Sequence, residues 1–142
     1  MNENVEMLQY IYQNAGMGKV TINQILEDIK DLEFKDVILE QLKDYEYVTQ
    51  KCEKLLSDEN KYPKDLKIST KIMTYFGIKM NSLKDDTSSH IAEMMINGST
   101  MGITQITKNL NDYKNIDNEI KDLATRLLKI EQDNIEKLKP YL

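Results

Sequence analysis

The sequence predicts an all-α protein: a four-helix bundle formed by residues 1–142 as a single domain, with an additional short helix in the long crossover between helices two and three. Three observations carry this reading. Apolar residues recur at steps of three and four along four separate stretches, which places them on one face of a helix in each. The links between the first and second and between the third and fourth stretches are short, whereas a long segment separates the second from the third. No stretch alternates apolar and polar residues, and no internal repeat or low-complexity tract is present.

The first helix is expected from Glu3 to Ile29, on the stripe Leu8, Ile11 or Tyr12, Ala15, Gly18, Ile22, Ile25 and Ile29. The helical phase continues across Asn14–Gly18, which favours one helix. The competing reading ends it near Asn14 and restarts it at Thr21, where Thr21 and Gln24 have capping-box spacing. The second helix, Glu33 to Ser57, carries Phe34, Ile38, Gln41, Tyr45, Val48, Cys52 and Leu55 in alternating steps of four and three, the heptad pattern of a bundle helix. Lys30–Leu32 is too short a link for anything but antiparallel neighbours.

Ser57–Tyr62 is a polar break followed by Pro63, and a basic amphipathic segment from Asp65 to Leu83 reads as the crossover helix. The third helix, Asp86 to Tyr113, repeats Ile91, Met95, Gly98, Gly102, Ile106, Leu110 and Tyr113. A glycine inside a helix costs roughly 1 kcal/mol relative to alanine, so two on its inward face need a reason. After a turn at Asn111–Asn115, the fourth helix runs from Ile116 to about Leu138 on Ile120, Leu123 or Ala124, Leu127, Glu131, Asn134 and Leu138.

Composition narrows the function classes. Net charge is −5, against the basic face a nucleic-acid binder needs. The charge is uneven: Lys61–Lys84 holds six lysines against one aspartate, leaving 13 basic and 23 acidic residues elsewhere. That segment reads as a helix lying across the bundle with its lysines in water, the alternative being an anionic partner or membrane surface. No apolar run approaches the ~20 residues that span a bilayer, and the first residues lack the basic and apolar regions of a secretory signal. One cysteine, Cys52, excludes an intrachain disulfide and fits a reducing cytoplasm, the expected location.

Two polar positions interrupt the fourth stripe, Glu131-x-x-Asn134, and the second helix places Asp44-x-x-Tyr47 at comparable depth. With the crossover connectivity, these positions resemble the ferritin-like, rubrerythrin-like superfamily. Its di-iron site takes a Glu from each of two helices and a Glu-x-x-His pair from each of the other two. The resemblance covers the whole chain and implies the scaffold. Carried over position by position, Asn134 stands where the family has histidine, and small residues occupy the middles of helices one and three. Of the expected ligand set only Asp44 and Glu131 keep carboxylates, so no standard di-iron site and no cofactor are expected, iron being the one the resemblance would imply.

Gln41, Asp44, Tyr45, Tyr47, Glu131 and Asn134 are thus a candidate cluster. A carboxylate in an apolar stripe must be paired, hydrogen-bonded or metal-bound. The preferred reading is a satisfied polar core cluster that fixes helix register; the sharper one is a ligand or remnant metal site. Ala15, Gly18, Gly98 and Gly102 are read as close packing of helix three on helix one, the alternative being a ligand cavity at the bundle centre. His90, the only histidine, opens the third helix and lacks partners for a metal site. Cys52 reads as core packing, and the methionines Met94, Met95 and Met101 as filler beside the glycines. Gly16-x-Gly18 lacks the third glycine and preceding strand of a dinucleotide fingerprint.

The expected function is a non-enzymatic interaction or small-ligand-binding module on a ferritin-like scaffold, without nucleic-acid or membrane partners and with a homodimer or other protein partner. The rival is an atypical metal-binding or oxidative-stress protein that uses the reduced carboxylate set of Asp44 and Glu131.

Overall fold

The computed structural model describes residues 2–64 and 88–142. Four long helices account for most of them: α1 Glu3–Ile25, α2 Leu32–Asp58, α3 Ser88–Asp112 and α4 Asn118–Leu138. Short 3-10 turns follow α1 at Leu26–Asp28 and α4 at Lys139–Tyr141. Among the described residues no strand forms, and no helix is long and apolar enough to cross a membrane. The expected crossover helix, Asp65–Leu83, lies outside the described residues, as do Asp86 and Thr87 of the expected third helix.

Local chemistry explains where the helices begin and end. Asn2 caps α1 by accepting from the Asn4 N–H at 3.0 Å. Asp31 caps α2 by accepting from the Glu33 and Phe34 N–H groups at 3.0 and 3.2 Å. Each satisfies backbone donors that have no intrahelical acceptor. α2 stops in a Schellman motif: Asn60 takes a left-handed φ of 58°, Lys61 N–H donates to Leu56 O at 2.8 Å, and Asn60 N–H to Ser57 O at 2.9 Å.

Two expected helix boundaries and one seam position move. α1 ends at Ile25 rather than Ile29, because the chain tightens into the 3-10 turn and Ile29 is extended (φ −82°, ψ 115°). Ile29 is nonetheless buried, so it kept phase with the stripe without being helical. α4 begins at Asn118, with Asp117 extended at its N-cap position and Ile116 packed on the core outside the helix. At the end of α2, Leu56 is buried and Leu55 only half-buried, one position off the expected seam. By contrast, α1 runs unbroken through Asn14–Gly18, and Thr21 sits inside it, its hydroxyl donating back to Met17 O at 2.8 Å.

Contacts at the helix ends set the directions. Asn2 donates to Glu59 across the α1–α2 pair at 2.9 Å. Lys51 faces Glu119 at 3.8 Å, while the Tyr141 ring packs tilted against Phe34 with centroids 4.7 Å apart and its hydroxyl donates to Glu33 at 3.1 Å, so α4 runs antiparallel to α2. Tyr10, near the start of α1, meets Tyr113, just past the end of α3, with ring centroids 5.8 Å apart. All four neighbouring pairs are therefore antiparallel, in the order up, down, down, up. The chain between α2 and α3 joins opposite ends of the bundle. Gln9 holds its first residues against α1, donating to Tyr62 O at 2.9 Å and accepting from Lys64 N–H at 2.8 Å.

The core joins one face of every helix, including Met7, Ile11 and Ile22 of α1, Phe34, Ile38 and Val48 of α2, Ile91 and Ile106 of α3, and Leu127 and Leu138 of α4. Burying each such side chain contributes roughly 1.5–3 kcal/mol. Both ends of the bundle are apolar. Its middle is not, and that is where a site can form.

Candidate functional site

Gln41, Tyr45, Ser99, Glu131 and Asn134 form a polar layer halfway along the bundle, none more than 3% exposed. Gln41, Tyr45, Glu131 and Asn134 lie on the helix stripes, so periodicity turns them inward, whereas Ser99 sits beside the α3 stripe between Gly98 and the following turn. The Tyr45 hydroxyl donates to Glu131 Oε1 in a short hydrogen bond and accepts from Asn134 Nδ2 at 3.3 Å. Ser99 also hydrogen-bonds within this group, to Tyr45 and Glu131. Both amide atoms of Gln41 and Oδ1 of Asn134 are buried without a protein partner among the described residues.

Burial dominates the electrostatics of this layer. Withdrawal from water pushes the Glu131 carboxyl up to about 7, against the opposing effect of the hydrogen bonds from Tyr45 and Ser99. Tyr45 is held well above the usual tyrosine range by desolvation first and by the neighbouring carboxylate second. At neutral pH the tyrosine is therefore a proton donor and the carboxyl is divided between its two forms. No salt bridge to Glu131 occurs among the described residues.

The glycines serve this layer differently from expectation. A Cβ on Gly18 would lie 2.5 Å from the Tyr45 ring, so Gly18 is the recess into which that ring fits. A Cβ on Gly102 would lie 2.8 Å from Glu131 Oε2 and 3.1 Å from Asn14 Oδ1. Two acceptor oxygens thus flank the bare face of Gly102. Asn14 is fixed there by donating through Nδ2 to Gly102 O at 3.1 Å, the bond that ties α1 to α3. Ala15 is fully buried in the core, and Gly98 lines a cavity. The small residues make room for side chains rather than simply drawing the backbones of α1 and α3 together.

That cavity, about 470 Å³, opens between α1 and α3. Met17, Met94, Met95 and Met101 give it a soft apolar wall; Met94 and Met95 are buried, while Met101 and Tyr10 stand half-exposed at the rim. Gln13, Asn14, Gln105, Asn109 and Lys108 add polar groups, and Tyr45, Ser99, Gly102 and Glu131 line it from the bundle interior. It is large enough for a small organic molecule, whose usual pockets measure about 300–1,000 Å³.

The structure joins Tyr45, Glu131 and Asn134 by hydrogen bonds and buries Gln41 one turn from Tyr45 on the same face of α2, but does not bring in the other two members of the candidate cluster. Tyr47 is 43% exposed on the outer face of α2, where Arg126 lies 4.1 Å over its ring. Asp44 is half-buried and is not among the hydrogen-bond partners of Glu131. Both miss the centre because α2 turns the Gln41–Tyr45–Val48 face inward, and 44 and 47 fall beside that face. Ser99 and Asn14 were missed. Ser99 lay hidden between the two glycines, and Asn14 stands next to Ala15 at the edge of the stripe. Their polarity was readable, but not their direction.

Among the described residues, no group of three or more His, Cys, Asp or Glu side chains is placed to hold a metal ion. His90 is half-buried in the first turn of α3, and Cys52 is a buried free thiol pushed up to about 12, chiefly by burial. Comparison of the chain with protein-family models, with curated proteins and with solved structures found no match.

Proposed function

We propose that this protein is a non-enzymatic, ferritin-like bundle that binds a small organic ligand in the cleft between α1 and α3. The observation that carries this reading is the cleft itself: about 470 Å³, walled by methionines, with a buried carboxyl at its inner end. Methionine suits such a wall because its unbranched, polarizable side chain adapts to irregular ligands. The up-down-down-up order with one long crossover supports the ferritin-like scaffold. The polar layer lies at the depth where that superfamily binds its metals, but a single carboxylate with tyrosine, serine and asparagine suits hydrogen bonding to an organic group better than holding a metal pair.

The test is a ligand-induced thermal shift with 2-phenylethanol and indole as probes. Wild type is expected to gain about 1.4 kcal/mol at a probe concentration ten times its Kd, a rise of a few degrees in melting temperature. Gly98→Leu, which fills the cleft from α3, is expected to fold and show no probe-dependent rise. Equal rises in both proteins would place binding elsewhere and defeat the reading.

A further inference from the structure

We infer that the ligand of this cleft is an organic ammonium ion: an apolar body with a protonated primary amine directed at Glu131 and Asn14. The inference rests on the cleft reading above and adds the chemical class of the ligand. Three features of the site select it.

The first is the pairing of acceptors. Glu131 Oε2 and Asn14 Oδ1 both lie about 3 Å from one point above Gly102, at 2.8 and 3.1 Å. The bond from Asn14 Nδ2 to Gly102 O settles which end of that amide faces the carboxylate: the acceptor end. Two acceptors with no donor between them repel, and a group with several N–H bonds satisfies both. An ammonium supplies three donors from one atom; a hydroxyl supplies one, and a carboxylate supplies none.

The second is charge. Glu131 is 3% exposed and has no cationic partner among the described residues. A buried carboxylate without a counter-charge is costly, and a cationic ligand removes that cost. Charge-assisted N–H···O bonds are also roughly twice as strong as neutral ones. Among the described residues, Lys108 is the one cationic side chain on the cleft wall. It is exposed to solvent and six residues from Gly102, about 9 Å along the helix axis, so water screens its repulsion.

The third is access. Gly102 has no side chain to cover Oε2, and both Gly102 and Glu131 line the cleft. Oε1 is already committed to the Tyr45 hydroxyl. Oε2 is the carboxyl oxygen nearest the bare face of Gly102, and so the one facing the ligand space.

Proton balance follows from the groups that face Glu131. Among the described residues these are Tyr45 from α2, Asn14 from α1, Ser99 and Gly102 from α3, and Asn134 on its own helix, with Lys108 at the rim. Without ligand, a proton on Glu131 avoids an unpaired buried charge. When the ammonium binds, the carboxyl gives its proton to solvent and takes an N–H bond in its place. Amine affinity should accordingly rise with pH up to about 7–8, where Glu131 is already ionised.

Isothermal titration calorimetry of the full chain with three probes of one body tests this: 2-phenylethylamine, 2-phenylethanol and 3-phenylpropanoate, at pH 7.5. The amine is expected to bind at least tenfold more tightly than either other probe, and at least fivefold more weakly at pH 5.5. Glu131→Gln should bring the three probes within threefold of one another. Asn14→Ala, which leaves the carboxylate in place, should reduce the amine preference severalfold, so the inference does not hang on one variant's folding. Equal or tighter binding of the alcohol or the propanoate by wild type would overturn the amine class and leave the cleft reading standing. No binding of any probe would overturn both.

Discussion

Gly18 shows why a helical glycine can be worth its intrinsic cost. Alanine would improve helix propensity by roughly 1 kcal/mol, yet its Cβ would meet the Tyr45 ring at 2.5–2.7 Å. Tyr45 cannot retreat without leaving Glu131 and Asn134, and overpacking of this kind costs roughly 1–3 kcal/mol. Gly18→Ala is therefore expected to lose up to about 2 kcal/mol in urea unfolding, where propensity alone would give a gain. Glu131 makes a second, signed expectation. Its carboxyl rises from an ordinary 4.5 to about 7 in the folded protein, so the folded state holds the extra proton between those values. The stability this group contributes is complete below about pH 4.5 and is lost as pH rises through 7, roughly 3 kcal/mol in all. Glu131→Gln lacks this linkage, and its stability relative to wild type should climb by about that amount from pH 4.5 to pH 8. A flat difference would mean that Glu131 is not desolvated. Cys52, buried and pushed up to about 12, should resist alkylation at pH 8 until α2 unfolds.

The four helices were readable because each buries one continuous face, and a face of a helix is a one-dimensional pattern. Their ends were less readable. Ile29 stays in phase with the α1 stripe while its backbone is extended, and apolar periodicity cannot separate those two states. At Leu55 and Leu56 two apolar residues compete for one place, and neighbouring helices decide between them. The caps can be tested element by element. Asp31 satisfies two backbone donors at the start of α2, so Asp31→Ala should cost about 1 kcal/mol. Protection of the first-turn amides from hydrogen exchange should fall with it. Loss of protection along the whole of α2 would show that the cap anchors more than its own turn.

The bundle as a whole joins two antiparallel hairpins, α1 with α2 and α3 with α4, around a core that is apolar at both ends and polar in the middle. Glu131 and Asn134 were legible as members of that middle because they break an otherwise apolar stripe. Ser99 and Asn14 were not, since their inward direction depends on how α1 and α3 face each other. Nor was the cleft, whose size is set by the space between helices rather than by any residue in them. Asp44 and Tyr47 misled for a related reason: correct depth along a helix is not the same as the correct face. The most direct measurement is a methyl NMR titration of methionine-labelled protein with 2-phenylethanol. Met17, Met94, Met95 and Met101 line the cleft, whereas Met7 is fully buried in the core and serves as the internal reference. Saturable shifts in the four cleft methionines with Met7 unmoved are the expected result. Shifts confined to other methionines, or none at millimolar probe, would contradict a ligand site between α1 and α3.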